Sequence, residues 1–218
     1  MTVATARVAA DKAMRLHVRK DAALPVSATP LWDGDPAWPP AFWLVGAHGG
    51  AGVSALSSMI APAGDAGRVW PAADASPLCV VVSRSDVAGL EHAHDAILQA
   101  MAGDAGDCEV VGLVVVDATP GRWPKPVSAQ VDVLKELVEV WHVPYLPQLR
   151  LVGGHDRLAE WTPQKPEDDG SSGRGKKKDR RVDVTAEVAP SMQEVAEAIF
   201  SAVKKAHKNL KQGERKND

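Results

Sequence analysis

A glycine-rich segment lies between an apolar run and a helical pattern. Residues 46–54 read GAHGGAGVS, after FWLV at 42–45 and at the start of the pattern VSALSSMI at 53–60. Glycines let the backbone turn tightly and point successive N–H groups at an anion. The N-terminus of the following helix adds partial positive charge. The segment therefore predicts a strand, a loop and a helix start built like a phosphate-binding loop.

The same segment departs from the pattern that supports phosphoryl transfer. A catalytic phosphate-binding loop places lysine immediately before a serine or threonine, so that the lysine reaches the phosphates and the hydroxyl ligates magnesium. This chain has Ser54 for the hydroxyl but Val53 in place of the lysine. Because phosphoryl transfer depends on positioned charge, little hydrolysis is expected. Three roles stay open: nucleotide binding without cleavage, a structural turn, and binding of another anion.

A second polar segment follows a later apolar run. Asp117 ends the run 110–116, and Arg122 closes the turn DATPGR. Ligands of parallel α/β sheets bind at the carboxyl ends of the strands, so His48, Ser54, Asp117 and Arg122 form the leading pocket hypothesis. A role for Asp117 in turn chemistry alone is the alternative.

No cofactor is predicted with certainty: if the loop holds a nucleotide, ATP or GTP is expected, with magnesium on Ser54. No catalytic residue and no protein metal site are predicted. The predicted cofactor-binding residues are Gly49, Gly50, Gly52, Val53, Ser54, Asp117 and Arg122.

The elements that would position these residues alternate along the chain. Continuous apolar runs at 42–45, 78–82, 110–116 and, more weakly, 138–143 predict strands buried on both faces. Helical patterns at 53–60, 86–101 and 128–138 lie between them, and Asp86 is placed to cap the second. The alternation predicts an α/β fold, a three-layer parallel sheet of about four to five strands.

Composition divides the chain into zones. Residues 1–40 predict a partly disordered lead-in, rich in Pro and Trp, whose tryptophans are expected to cover one edge of the core. Residues 41–155 predict the α/β core. Residues 156–189 predict a flexible charged linker, because 162–181 offers little that could bury apolar surface. Residues 212–218 predict a disordered tail.

Residues 190–211 predict an amphipathic helix. Ser191 and Glu194 have capping-box spacing, and apolar residues recur at spacings of three and four from Met192 to Leu210. The helix either packs back on the core or docks on a protein partner at the end of its linker, and the second possibility is the partner prediction. The basic cluster KKKDRR at 176–181 is a weaker candidate for nucleic-acid contact, because acidic residues nearby offset its charge.

Overall composition and charge limit the class of protein to which this chain can belong. The 218 residues carry a formal net charge of −3, so the molecule has no overall basic field. Cys79 and Cys108 lie in or beside apolar runs and predict buried free thiols, not a disulfide framework. No apolar run approaches the roughly 20 residues that span a bilayer, and no signal sequence is evident. A cytoplasmic protein is expected.

The loop GAHGGAGVSAL resembles that of the MinD/ParA group of partition ATPases, most closely its CpaE-like pilus-assembly members, whose loop often replaces the catalytic lysine. The segment LCVVVSRSDVAGLEHAHDAI is similar to a strand and helix of that group. VVGLVVVDATPG and WHVPYLPQLR are similar to its last strands. Residues 43–150 also resemble an uncharacterised actinobacterial family with AHGGAG, PGR and VPY-type motifs, whose members belong to plasmids and integrative elements.

The resemblance implies a truncated P-loop NTPase fold. The MinD/ParA group has a second lysine where this chain has His48, and histidine is not a permanent cation. The group also has a longer segment after the loop, which 61–77 replaces here as a deletion or a short edge. The implied function is a pseudo-NTPase adaptor or regulator, in a DNA-transfer or pilus-like assembly, and not an enzyme. The alternative is a nucleotide-binding switch whose hydrolysis needs a partner's Lys or Arg.

Overall fold

Five strands form a single sheet in the part of the chain that the computed structural model describes, which is residues 22–33, 38–72, 76–163 and 182–214. The strands are β1 (Phe42–Gly46), β2 (Ala63–Asp65), β3 (Leu78–Arg84), β4 (Glu109–Val116) and β5 (Glu139–Val143). All pairings between them are parallel, and the spatial order is β2-β1-β3-β4-β5.

Helices cover both faces of this sheet. The α-helices within the described ranges are α1 (Val53–Met59), α2 (Val87–Met101), α3 (Lys125–Lys135) and α4 (Pro190–Glu214). α1 and α4 pack on one face, and α2 and α3 pack on the other. The predicted three-layer parallel α/β fold is therefore confirmed. None of the helices described is both long and apolar enough to cross a bilayer.

The double coverage explains the continuous apolar runs. Val80 and Val82 of β3 belong to the core beneath α1 and α4, whereas Cys79 and Val81 belong to the core beneath α2 and α3. A strand between two helical layers needs apolar side chains on both faces, so its sequence does not alternate. Fully burying one such valine stabilises the fold by roughly 1.5–3 kcal/mol.

Local chemistry sets where the helices begin. The Asp86 carboxylate accepts a hydrogen bond from the Gly89 N–H at 2.8 Å and caps α2, as the sequence predicts. α3 covers Lys125–Lys135 instead of the predicted 128–138. Pro126 lies in its first turn, where a missing N–H costs no hydrogen bond, so the helix begins earlier than the apolar pattern.

β2 is a short edge strand in the segment 61–77. Its three residues, AGD, pair with β1 from Phe42↔Ala63 to Leu44↔Asp65. Backbone hydrogen bonds and one close contact define it. A Cβ on Gly64 would lie 2.6 Å from the Trp43 ring, so only glycine fits at this position. Such a strand has no apolar run by which a sequence pattern could identify it.

The C-terminal helix packs back on the core. Met192 and Ile199 of α4 are fully buried, and Val195 and Val203 complete the same apolar stripe. The Phe200 ring meets the Trp161 ring edge-on, with centroids 5.8 Å apart. The stripe that the partner prediction assigned to another protein is therefore occupied by the chain's own sheet. The helix also extends beyond 211, into the predicted tail.

The predicted linker 156–189 is corrected at both of its described ends. The Trp161 N–H donates to the Met59 carbonyl and the Ala159 N–H donates to the Val184 carbonyl, both at 2.8 Å. Apolar side chains at these ends belong to the core under α1 and α4, which explains why the chain is held there: Leu158, Trp161, Val182, Val184 and Ala189. Residues 164–181, with the basic cluster 176–181, lie outside the described residues.

The described part of the predicted lead-in is also attached to the core. The Leu24 side chain is buried, and its N–H and C=O are both bonded by the Gln99 side-chain amide, at 2.9 and 2.8 Å. Residues 1–21, which carry most of the predicted disorder, lie outside the described residues.

The tryptophans of the lead-in do not cover the core as expected. Trp32 is 40% exposed and Trp38 is 79% exposed. Trp43 and Trp70, further along the chain, are buried instead.

Candidate functional site

The chain changes direction across the sheet at β1 and β3. From β1 it passes through α1 to β2 on one side, and from β3 it passes through α2 to β4 on the other side. α1 and α2 lie on opposite faces, so a crevice opens at the carboxyl ends of the two strands. Open parallel sheets bind their ligands at such a crevice. The glycine loop, residues 46–52, lies at this position.

The backbone of the loop has the shape that its glycines predict. Gly50 and Gly52 have φ values of 78° and 106°, in the left-handed region that favours glycine. Gly52 is also the N-cap of α1, and the Ala47 N–H donates to the Val82 carbonyl of β3 at 2.9 Å. Gly49 and Gly50 are exposed at the tip of the loop. The strand, loop and helix start therefore form one continuous unit.

His48 points into the protein and not toward the tip of the loop. Its Nε2 accepts a hydrogen bond from the Arg84 backbone N–H at 3.1 Å, and its Nδ1 lies 2.9 Å from the Gly49 carbonyl oxygen. Because Nε2 is the acceptor, the ring proton is on Nδ1 and is donated to Gly49. One ring nitrogen therefore holds the loop against β3, and the other bonds within the loop itself.

α2 is shaped to receive this ring. A Cβ at Gly89 would lie 2.7 Å from His48 Nε2 and 3.0 Å from the Ser83 hydroxyl oxygen. Gly89 also donates to the Asp86 cap, so the first turn of α2 is fixed while leaving room for the imidazole. His48 thus connects the glycine loop, β3 and α2.

Replacing His48 with alanine is expected to lower the free energy of unfolding by about 1–2 kcal/mol, because the Arg84 N–H loses its acceptor inside the protein. Urea denaturation of the variant measures this loss. His94→Ala, at a similarly half-buried histidine on α2, is the matched control. Equal stability of the His48 variant and the wild type would show that the imidazole does not hold the loop.

The position of the missing lysine is part of the core. Val53 is 7% exposed, belongs to the core under α1 and α4, and would lie 3.0 Å from a Cβ on Gly46. Its side chain fills space beneath the loop, so only its backbone can face a ligand. Ser54 is exposed on the first turn of α1, and its carbonyl accepts hydrogen bonds from the Ser57 and Ser58 hydroxyls.

Asp117 is held by neighbours on its own side of the sheet. The carboxylate is 5% exposed, and Oδ1 accepts from the Trp123 indole N–H at 2.5 Å and contacts His142 Nε2 at 2.9 Å. The Trp123 and His142 rings meet edge-on, with centroids 4.7 Å apart. Asp117 therefore joins the end of β4 to β5 and to the loop before α3.

The structure places the four residues of the predicted pocket on different elements, and their grouping around a ligand stays a prediction. Val116 belongs to the core beneath α1, so side-chain alternation puts Asp117 on the opposite face. His48 contacts Ser83 on that opposite face, whereas Ser54 is on α1. Arg122 is exposed in the loop between β4 and α3. Among the described residues, no group of three or more His, Cys, Asp or Glu side chains could hold a metal ion.

Arg84 is a site candidate that the sequence reasoning did not identify. It ends β3 and is half-buried. Val80 and Val82 face α1, so alternation puts Arg84 on that face, beside its register partner Val116. A Cβ on Gly52 would lie 3.7 Å from the Val116 side chain, so the start of α1 is directly above. An arginine two residues after a buried valine, at the end of an apolar strand, was the available signal.

The fold and the site define a class: a three-layer parallel α/β domain with a glycine loop at the point where the sheet changes direction. The chain belongs to DUF6668, a family of unknown function whose model matches residues 40–160. That range contains all five strands and the glycine loop. No curated protein and no solved structure matches the chain.

Proposed function

We propose that this chain is a non-catalytic, P-loop-like domain that acts as an adaptor or regulator and does not hydrolyse nucleotide by itself. One observation carries the proposal: both loop positions that would hold a lysine are used for folding. Val53 is packed in the core, and His48 is hydrogen-bonded to β3 and to its own loop. Since charge stabilisation supplies most of the acceleration of phosphoryl transfer, a loop without a cation at either position is a poor catalyst.

A nucleotide-binding switch is the second candidate, and Arg84 is the observation that favours it. The loop keeps glycines in left-handed conformations at Gly50 and Gly52, so backbone N–H groups can surround an anion. Arg84 lies on the face of the sheet that α1 covers and would supply one cation there. Such a site would hold a phosphate group, while hydrolysis would still require a cation from a partner.

Calorimetric titration with ATP and GTP, with and without magnesium, separates the two candidates. The adaptor proposal predicts no binding heat up to millimolar nucleotide. Saturable heat that Arg84→Gln weakens would support the switch instead. Lys125→Gln is the matched control, because Lys125 is an exposed cation at the start of α3. Its substitution removes the same charge as Arg84→Gln, away from the loop.

The partner surface that fits an adaptor is the exposed side of α4, within residues 190–211. Lys204, Lys205, Lys208 and Lys211 are exposed there, and residues 201–212 contain no Asp or Glu. An acidic protein surface is the complementary partner. Its binding would weaken as salt screens the charges, so a complex whose affinity does not change with salt concentration would rule out this surface.

A further inference from the structure

The two cysteines of the chain lie together although 29 positions separate them. Cys79 is in β3 and is the register partner of Val110 in β4. Cys108 precedes Val110 by two positions, so it shares the face of Cys79 at the amino ends of the two strands. The Glu109 N–H donates to the Pro77 carbonyl at 2.7 Å and closes the backbone at this end. No other cysteine occurs in the 218 residues.

Solvent can reach only one of the two thiols. Cys79 is fully buried in the core under α2 and α3. Cys108 is half-buried at the rim of that core, and its thiol donates a hydrogen bond to the Pro71 carbonyl oxygen at 3.6 Å. A dissolved reagent therefore meets Cys108 first, and Cys79 can react only through Cys108.

The two thiols also differ in acidity. A hydrogen bond from the Cys79 thiol lowers the pKa of Cys108, an effect that burial and the nearby Asp107 carboxylate only partly oppose. The same pairing, together with burial, holds the pKa of Cys79 well above its usual value. Because the thiolate is the nucleophile in disulfide exchange, Cys108 is the attacking group and Cys79 keeps its proton.

We infer that Cys79 and Cys108 form a redox-active pair in which Cys108 is modified by small disulfides and Cys79 resolves the adduct. In the first step the Cys108 thiolate attacks a disulfide RS–SR, forms the mixed disulfide Cys108–S–SR and releases RS⁻. In the second step the Cys79 thiol loses its proton to RS⁻, attacks the Cys108 sulfur and releases a second RS⁻. Starting from the Cys108 thiolate, the protein loses two electrons and one proton, and RS–SR is reduced to one RSH and one RS⁻.

The turn before β4 is where the backbone adjusts to the new bond. Gly103 and Gly106 in this turn have φ values of 84° and 66°, and the Cys108 N–H bond to the Ala105 carbonyl is long, at 3.4 Å. A disulfide needs its two Cα atoms within about 7 Å of each other. Movement of this turn can bring the Cα of Cys108 within that distance of Cys79. The bond would fasten β3 to the turn at the end of the sheet opposite the glycine loop.

The test treats the full-length protein with oxidised glutathione and follows its intact mass and its remaining free thiols. The wild type is expected to pass through a glutathione adduct and finish with two hydrogens lost and no adduct. Cys79→Ala is expected to retain the adduct on Cys108. Cys108→Ser is expected to react at least tenfold more slowly while folded, because its remaining thiol is buried. Circular dichroism confirms that each variant is folded.

Two outcomes would overturn the inference. Cys108→Ser reacting as fast as the wild type would show that Cys108 is not the entry point. A wild-type protein that keeps the glutathione adduct, or keeps both thiols free, would show that Cys79 does not resolve it. Should Cys79→Ala fail to fold, Cys79→Ser replaces it, since serine retains the size of the thiol and lacks its redox chemistry.

Discussion

Replacing Val53 with lysine is expected to lower the free energy of unfolding by about 3 kcal/mol or more, and not to create a nucleotide hydrolase. The Val53 side chain is 7% exposed and packs in the core under α1 and α4. A charged side chain at this position would be buried without a partner, which costs several kcal/mol. In a phosphate-binding loop with a catalytic lysine, the same position would face the phosphates. A loss of stability on Val53→Lys therefore distinguishes this loop from a catalytic one.

Ser54→Lys is the matched control for this prediction. Ser54 is the next residue along α1 and is exposed, so a lysine there stays in water and should change stability by less than about 0.5 kcal/mol. Urea denaturation of both variants measures the difference. A Val53→Lys protein as stable as the wild type that also binds ATP would contradict the burial of this position and would indicate a phosphate-facing site.

The second large effect is expected at α4. Ile199→Ala should lower the free energy of unfolding by about 2–5 kcal/mol, because Ile199 is fully buried where the helix meets the sheet. For a chain of this size each kcal/mol shifts the melting temperature by about 2–4 °C, so a fall of roughly 4–20 °C is expected.

Thermal unfolding followed by circular dichroism tests the α4 prediction, with Lys205→Ala as the control on the exposed side of the same helix. If Ile199→Ala melts at the wild-type temperature, the helix is not docked in solution. Its apolar stripe would then be available to a partner, as the sequence alone had suggested.

The strands of the sheet could be predicted because burial on both faces produces a characteristic sequence pattern. Continuous runs of β-branched residues, such as VVGLVVV before Asp117, identify strands covered by helices on each side. Asp86 likewise identified the start of α2 through purely local capping chemistry. Local and periodic signals therefore sufficed for the layers of the fold.

What the sequence left open depends on contacts between distant residues. The apolar stripe of α4 shows that one face must be buried, but not that the sheet buries it. The hydrogen bond of His48 to Arg84 and the contacts of Asp117 with Trp123 and His142 arise only when strands come together. Alternate residues of a strand face opposite sides of the sheet, so Asp117 faces away from the side of Val116. This much could have been predicted from the sequence of β4.

The backbone of the glycine loop follows a strand–loop–helix path, and two of its side chains hold it to the fold. Gly50 and Gly52 give that path, while His48 and Val53 attach the loop to β3 and to the core. These attachments make the loop a rigid part of the fold. The proposed absence of hydrolysis rests on this loop having no cation at either lysine position.

Phosphate release from ATP and GTP in the presence of magnesium tests this conclusion most directly. The purified wild-type protein is predicted to release phosphate no faster than buffer, at any protein concentration. Release that rises with protein concentration and is abolished by Ser54→Ala or Arg84→Gln would place hydrolysis at this loop and would contradict the account.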